Sequence, residues 1–116
     1  MVRIELTLRL PNNAGALAGV CEALAEEHVK VLAFSLADGG QLRLLVDNHV
    51  HGAAVLRDRR HIVVEREVLV VDAATSLTAL QSIVDADINL NYAYGAVSAM
   101  VLGVDDAMRA SAAAGI

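Results

Sequence analysis

The feature that most constrains how this chain can fold is an order of strand and helix patterns that occurs twice within 116 residues. The first copy opens with apolar and polar residues in alternation from Val2 to Leu10, which predicts a half-buried strand. Turn residues follow, and apolar residues spaced three and four apart then predict an amphipathic helix near residues 14–27. The copy continues with predicted strands near residues 29–36 and 41–47 and a helix near 50–59.

The pattern restarts after the charged triplet Glu65-Arg66-Glu67, which interrupts an apolar stretch predicted to form strand structure over residues 61–71. We therefore place a unit boundary there, between residues 1–66 and residues 67–116. The second copy has predicted helices near residues 76–86 and 105–113 and predicted strands near 88–95 and 98–104. Equivalent residues keep a nearly constant spacing: Asn12 corresponds to Asp72, Leu17 to Leu77, and Val29 to Ile88. Such a repeat is stronger evidence for a fold than any single element.

Strands with one apolar and one polar face are typical of an antiparallel sheet that carries its helices on one side. The predicted fold is therefore α+β, with two ferredoxin-like βαββαβ units, of which the second lacks its last strand. The missing strand would leave Val68 to Val71 as an unpaired apolar edge, and such edges recruit partners. We therefore expect a homodimer; a strand over residues 61–71 that serves both units would instead satisfy the edge within one chain.

The charge distribution excludes a nucleic-acid partner, because residues 61–116 contain two basic and seven acidic residues. The cluster of Arg57, Arg59 and Arg60 is too small to reverse this and has no aromatic neighbours. The single cysteine, Cys21, cannot form an internal disulfide and fits a reducing compartment. No run of about 18 apolar residues is present, so we expect no membrane span and a cytoplasmic location.

Three segments of the chain resemble the ACT domain family, in particular short bacterial proteins made of two ACT units. The run Asn12-Asn13-Ala14-Gly15-Ala16-Leu17 is similar to the family's loop and helix signature, although Ala14 stands where proline is usual. The segment 42–48 resembles the family's third strand running into its second helix, and the segment 86–94 resembles a helix exit followed by the second strand. The resemblance covers nearly the whole chain, and its motifs occur in the family's order in both copies.

The resemblance implies regulatory binding of a small molecule, most often an amino acid, at the first loop and against a neighbouring unit. The predicted ligand-binding residues are Asn12, Asn13, Ala14, Gly15, Ala16 and Leu17, with Asn89 and Asn91 as further candidates. The first helix has no acidic residue before Glu22, so free backbone N–H groups at its start suit a carboxylate. A helix cap at Asn12, a turn residue at Gly15 and a solvated sheet face for the two later asparagines would explain the same residues.

The second loop departs further from the family, because Ala74 and Thr75 stand where proline and glycine are usual. A threonine there restricts the approach of a ligand to the backbone, so we expect binding at residues 12–17 and none at 72–77. Because the resemblance is to regulatory modules, a partner enzyme is a further possible interaction of this chain.

The remaining polar residues have ordinary structural explanations. His49 and His51 are expected to be solvated rather than to bind a metal, and Cys21 is expected to be a buried thiol. Asp105 and Asp106 are expected to cap a helix. Because no catalytic set or phosphate loop is present, we expect neither enzymatic activity nor a cofactor. Two functions stay open: a ligand-binding regulatory module, and an association or scaffold subunit without a ligand.

Overall fold

The structure is a computed structural model that describes residues 1–11, 14–95 and 98–116. The described residues form an α+β fold whose sheet pairings are antiparallel, as predicted, and each strand and helix begins and ends close to its predicted position. The elements are β1 (Val2–Arg9), α1 (Ala14–Glu26), β2 (Val31–Ala37), β3 (Gln41–Val46), α2 (His49–Asp58), β4 (Val64–Asp72), α3 (Ser76–Asp85), β5 (Leu90–Gly95), β6 (Ala99–Val104) and α4 (Ala107–Ala114). A short 3-10 turn, Ala73–Thr75, precedes α3.

The first compact unit comprises Ile4–Arg66. Its strands lie in the order β2-β3-β1, and Leu44 of β3 pairs with Leu6 of β1 on one side and Phe34 of β2 on the other. Both helices pack on the same face of this sheet, because their apolar residues share one core with alternate residues of β1 and β3. That core is Leu6, Leu8, Leu10, Val20, Ala23, Leu24, Val29, Leu42, Leu44, Val46, Ala53, Val55, Leu56 and Val63.

The second compact unit comprises Met1–Arg3 and Glu67–Ile116. Its strands lie in the order β4-β6-β5, and Leu102 of β6 pairs with Leu69 of β4 and Ala93 of β5. Its core is Leu69, Val71, Ala79, Ile83, Ile88, Leu102, Val104, Ala107 and Ala110. The architecture confirms the predicted tandem ferredoxin-like fold, whereas the domain division at residues 66 and 67 stays a prediction.

The expected break at Glu65–Glu67 is wrong, because β4 runs without interruption from Val64 to Asp72. Glu65 and Glu67 are exposed and Arg66 is half-buried, so the strand accommodates all three charges without a break. The predicted start at His61 is also too early, because residues 61–63 lie before the strand. In chain order, β4 therefore both completes the first βαββαβ pattern and opens the second.

The expected unpaired edge at Val68 to Val71 is wrong as well. The amino group of Met1 donates to the carbonyl of Val70 at 2.9 Å, and the Val70 amide donates to the carbonyl of Met1 at 2.8 Å. On its other side β4 pairs with β6. Met1 thus pairs with this strand at Val70, so an unpaired edge here is not a ground for a homodimer, and the homodimer itself stays a prediction.

The helical spacing of Leu77, Leu80, Ile83 and Val84 predicts the core stripe of α3, and the observed stripe is displaced from it. Leu77 is 80% exposed and Val84 60% exposed, whereas Ser76, Ala79 and Ile83 are buried. The Ser76 hydroxyl donates to the carbonyl of Ala73 at 2.8 Å, which ties the helix to the preceding 3-10 turn. That turn sets the start of the helix, and therefore the face that it buries.

The inward face of α2 also differs from its prediction. The sequence pattern predicts Val50, Ala53, Ala54 and Leu56 as its inward residues. Val50 and Ala54 are exposed, and Gly52 and Val55 are buried instead. A Cβ atom on Gly52 would lie 3.1 Å from a methyl group of Val46, so the helix approaches the sheet closely at this glycine.

Each edge strand shifts its register by one residue, at Leu32 in β2 and at Asn91 in β5. Such bulges turn the following side chains to the opposite face of the sheet. Strict alternation along this strand predicts Tyr92 and Tyr94 on the same face as Leu90, but the bulge turns both side chains away from the helices. Their rings stack with centroids 6.4 Å apart. Tyr92 covers Gly103 of β6 so closely that a Cβ atom on this glycine would overlap the ring.

All four helices end in the same way. A residue within two positions of the last helical residue has a positive φ, and the amide that follows it donates to a carbonyl five residues back, as in a Schellman motif. The residues with positive φ are His28 (56°), Arg60 (70°), Asp87 (58°) and Gly115 (74°). Glycine is the residue that best tolerates this conformation, and only the fourth of these helices uses it.

Candidate functional site

The first predicted site is the start of α1. The helix begins at Ala14, and its first turn contains no acidic residue, as predicted. Gly15 is exposed, and Ala16 and Leu17 are half-buried against the core of the first unit. Asn12 and Asn13 lie outside the described residues. A helix whose first turn contains no carboxylate favours a bound anion at its start electrostatically. Ligand binding at residues 12–17 stays a prediction.

The two later asparagines, Asn89 and Asn91, belong to the second unit. Both side chains are exposed, and their amide groups donate to the carboxylate of Asp105, at 2.9 Å from Asn89 and 2.8 Å from Asn91. The register shift at Asn91 turns its side chain toward Asp105, so the pair ties the start of β5 to the end of β6. This structural role accounts for one amide donor of each residue, and ligand contact stays a prediction.

The first unit has a parallel arrangement at Asp47, where the carboxylate accepts from the backbone amides of Lys30, at 3.1 Å, and Asn48, at 2.8 Å. The next residue caps the following helix in both units. Asn48 accepts from the His51 amide at 3.1 Å, and Asp106 accepts from the Arg109 amide at 3.0 Å. Asp106 is thus a helix cap, as expected, whereas Asp105 holds the two asparagines.

An open cavity of about 500 Å³ lies beside the second loop. Its lining includes the exposed residues Asp72 and Thr75, together with Met1, Val70 and Ile116. The carboxylate of Asp72 makes this loop less favourable for an anionic group than the start of α1. Binding at residue 12–17 in preference to 72–77 stays a prediction.

An apolar groove of about 320 Å³ runs between α1 and the edge strand β2. One wall is formed by α1, through Leu17, Cys21 and Leu24, and the other by β2, through Val31 and Phe34. Phe34 is the one phenylalanine of the chain and is 64% exposed. It faces the helices, because it pairs directly with the core residue Leu44. Apolar surface of this kind on an edge strand is typical of an association site.

Cys21 is exposed in this groove, so its predicted burial is wrong. The helical periodicity identified its stripe correctly, since Val20 and Leu24 are buried. Cys21 lies at the margin of that stripe, where β2 is the last strand and no further element of the unit covers the helix. The sequence signal for the groove was the run Val31-Leu32-Ala33-Phe34, which is apolar at every position and does not alternate.

His51 is exposed, as predicted, and its Nε2 lies 3.2 Å from the carbonyl of Glu27, while His49 is half-buried. Among the described residues, no three His, Cys, Asp or Glu side chains are arranged to hold a metal ion. No helix in the same ranges is long and apolar enough to span a membrane.

Comparison with known proteins gives structural matches only. No protein family model matches the sequence, and no curated protein matches it. Protein BT0572 from Bacteroides thetaiotaomicron superposes with a TM-score of 0.88 at 21% identity, over 97% of this chain and 86% of that one. The regulatory subunit of aspartate kinase from Thermus flavus superposes with a TM-score of 0.72 at 15% identity, over 98% of this chain and 90% of that one.

A third match is E. coli aspartokinase III in complex with lysine and aspartate, with a TM-score of 0.61 and 18% identity. Here 97% of this chain aligns with 30% of that enzyme. At these identities the likeness establishes the fold. This chain has the tandem ACT-like fold of the aspartate kinase regulatory subunits, as its resemblance to the ACT family predicted.

Proposed function

We propose that this chain is a regulatory module that binds a small molecule of the amino-acid class, and that it has no catalytic activity of its own. The observation that carries the proposal is the likeness to a regulatory subunit of aspartate kinase over 98% of the chain. A related solved structure, E. coli aspartokinase III, contains lysine and aspartate. The signal from the bound ligand would pass to a partner enzyme or to the assembly of the module itself.

The start of α1 is the proposed ligand site. Its first turn has no acidic residue, and Gly15 is exposed there, so backbone N–H groups are accessible to a carboxylate. Asn12 and Asn13, which precede the helix in sequence, supply amide oxygens for an ammonium group. An amino acid carries both of these charged groups.

Thermal unfolding in the presence of each common amino acid tests this site. A ligand at about 100 times its Kd adds about 2.7 kcal/mol to the free energy of unfolding, which raises the Tm by several degrees. We expect Gly15→Val to abolish this rise without loss of the fold, because the added side chain blocks the approach to the helix start. Gly19→Val is the matched control, since the same change in the same helix meets no atom within 4 Å of its Cβ position.

Two outcomes would contradict the site. One is a rise in Tm with Gly15→Val that equals the wild-type rise. The other is a ligand-induced rise in Tm that disappears in Asp72→Ala but persists in Gly15→Val, which would assign the ligand to the cavity beside the second loop. If no amino acid raises the Tm of the wild type, the proposed ligand class is wrong.

The second candidate function is association without a ligand, and the apolar groove between α1 and β2 favours it. We propose that a second copy of the chain covers this groove and forms a homodimer. Edge strand β2 presents unpaired backbone groups along seven residues, and the same strand of a second copy matches them by symmetry. The same contact would cover Phe34 and the exposed part of α1.

Sedimentation velocity at micromolar concentration tests the homodimer. We expect the wild type to sediment as a dimer and Phe34→Asp as a monomer, because a carboxylate in the groove would be buried without a partner. Val50→Asp is the control, because Val50 is equally exposed on α2 but lies outside the groove. A monomeric wild type, or a dimer that persists in Phe34→Asp, would contradict the proposal.

A further inference from the structure

An open cavity of about 600 Å³ lies in the first unit, beside the segment that joins α2 to β4. Five of its lining residues carry side-chain nitrogen donors, namely Arg9, Gln41, Arg59, Arg60 and His61. Leu8, Ile62 and Val64 provide apolar walls. No Asp or Glu of the described ranges lines it. Its volume falls within the range of about 300–1,000 Å³ that is typical of small-molecule sites.

This concentration of positive charge contrasts with the rest of the chain, which has a formal net charge of −5 and only nine Lys and Arg residues. Three of those nine line one cavity. Glu26 offsets the charge of Arg59, whereas a bound anion would offset the charges of Arg9 and Arg60. A cavity with this lining therefore attracts negatively charged molecules in an otherwise acidic protein.

Two of the guanidinium groups are held in place by other residues. Nη2 of Arg59 lies 2.8 Å from a carboxylate oxygen of Glu26, and Nη1 of Arg9 donates to the carbonyl of Gly39 at 3.3 Å. Each guanidinium has five N–H donors, so these contacts orient the group and leave further donors for a ligand.

The side chains of Arg60 and His61 are not engaged in this way. Among the residues that the structure describes, neither side chain forms a hydrogen bond or an ion pair with another residue. Arg57, the third member of the arginine cluster in the sequence, lies outside the cavity lining. Its Nη2 donates to the carbonyl of Val63 at 2.8 Å and lies 3.4 Å from Glu65.

We infer that this cavity binds a small organic anion with at least two negative charges, such as a phosphate ester or a polycarboxylate. The guanidinium groups of Arg9, Arg59 and Arg60 match the planar geometry of carboxylate and phosphate oxygens. The carbon skeleton of the ligand packs against Ile62 and Val64. This inference does not rest on the proposed amino-acid site, because it uses no residue of the segment 12–17.

Because of the backbone conformation of Arg60, a glycine at this position removes the positive charge of the side chain without weakening the fold. Arg60 has a φ of 70°, at which glycine is more stable than arginine. Arg60→Gly therefore deletes the guanidinium and keeps the end of α2. His28→Gly makes the same backbone change at the end of α1, where φ is 56°. Lys30→Gln removes one positive charge from an exposed position outside the cavity.

Calorimetric titration of the full chain with pyrophosphate, citrate and acetate tests the inference. We expect pyrophosphate, citrate or both to bind, acetate to bind far more weakly, and Arg60→Gly to weaken binding at least about tenfold. Arg9→Gln should have an effect of the same order. His28→Gly and Lys30→Gln should bind as the wild type does. The preferred probe then distinguishes a phosphate ester from a polycarboxylate.

Absence of binding by both polyanions at millimolar concentration would overturn the inference. Equal weakening by Lys30→Gln and Arg60→Gly would also overturn it, because the attraction would then come from diffuse charge. Failure of every amino acid in the thermal-unfolding test, with polyanion binding intact, would reject the proposed function alone.

Discussion

The two units share one strand arrangement, but their edge strands differ in which face carries the large side chains. The large residue lies on the helix face in the first unit and on the opposite face in the second. In the first unit, β2 presents Phe34 on the face that carries the helices and pairs the small Ala33 with Leu45 on the opposite face. In the second unit, β5 presents Ala93 on the helix face. On the opposite face of that unit, Tyr92 covers Gly103.

This difference shows that the two units have the same backbone pairing in their edge strands although side chains of different volume occupy equivalent positions. Both edge strands have the register shift at the equivalent place, so the backbone plan is the same. At the equivalent pairs Ala33–Leu45 and Tyr92–Gly103, the large and the small residue have changed strands, so each of these two pairs still combines one large and one small side chain. The first unit therefore has an apolar groove beside its first helix, while the second unit places its aromatic rings on the other face.

The largest expected effect on stability comes from giving the turn at Gly40 in the first unit the residue of the equivalent turn at Ser98 in the second. The Leu10 amide donates to the Gly40 carbonyl at 2.7 Å, and the Ala73 amide donates to the Ser98 carbonyl at 3.0 Å. Gly40 has a φ of 79°, and a Cβ atom there would overlap the backbone of Leu10. We expect Gly40→Ser to lower the free energy of unfolding by about 3 kcal/mol.

Urea denaturation measures this effect, and Ser98→Gly is the reciprocal control. Because any backbone conformation is accessible to glycine, the reciprocal change should alter the free energy of unfolding by no more than about 1 kcal/mol. Equal denaturation midpoints for Gly40→Ser and the wild type would show that the two turns are interchangeable.

A smaller loss of stability is expected from a substitution at Gly103, which Tyr92 covers. Gly103→Ala should lower the free energy of unfolding by about 1–3 kcal/mol, because the added methyl group displaces the Tyr92 ring and its stacking on Tyr94. Part of this cost should disappear in a background that carries Tyr92→Ala, where the methyl group has room. A double-mutant cycle measures the coupling. If the two substitutions lower the free energy of unfolding additively, the Tyr92 ring is not the reason that position 103 requires glycine.

The smallest expected effect, and the only stabilising one, concerns the equivalent helix ends at His28 and Asp87. Both residues have a positive φ, so replacing either with glycine should raise the free energy of unfolding by about 0.5–1 kcal/mol. Gly115→Ala should have the opposite sign, because Gly115 has a φ of 74°. Thermal unfolding checks all three variants. A loss of stability on His28→Gly or Asp87→Gly would mean that the side chain contributes more than the backbone conformation costs.

Most of the fold was predictable from the sequence, because alternation and helical spacing report directly on which backbone positions face the core. What periodicity could not supply was local register. The bulge at Asn91 reverses the faces of Tyr92 and Tyr94, and the 3-10 turn before Ser76 moves Leu77 out of the core. Pairing by Met1 could not be predicted either, because it depends on a contact between residues far apart in sequence.

The candidate site was less accessible to sequence reasoning. The absence of acidic residues at the start of α1 was visible in the sequence, and the helix begins where predicted. The interaction of Asn89 and Asn91 with Asp105 was not visible, because it follows from the register shift. The arginine cavity was also missed, since Arg9 joins Arg59 and Arg60 only through the fold.

The exposure of Cys21 makes the groove chemically addressable without any engineering. It is the one cysteine of the chain, and it lines the wall that α1 contributes. A thiol-reactive dye would therefore attach at a single position, and its rate of attachment would fall whenever another molecule covers that wall. The protein thus contains its own reporter of groove occupancy, which can be followed in real time while ligands or partners are added.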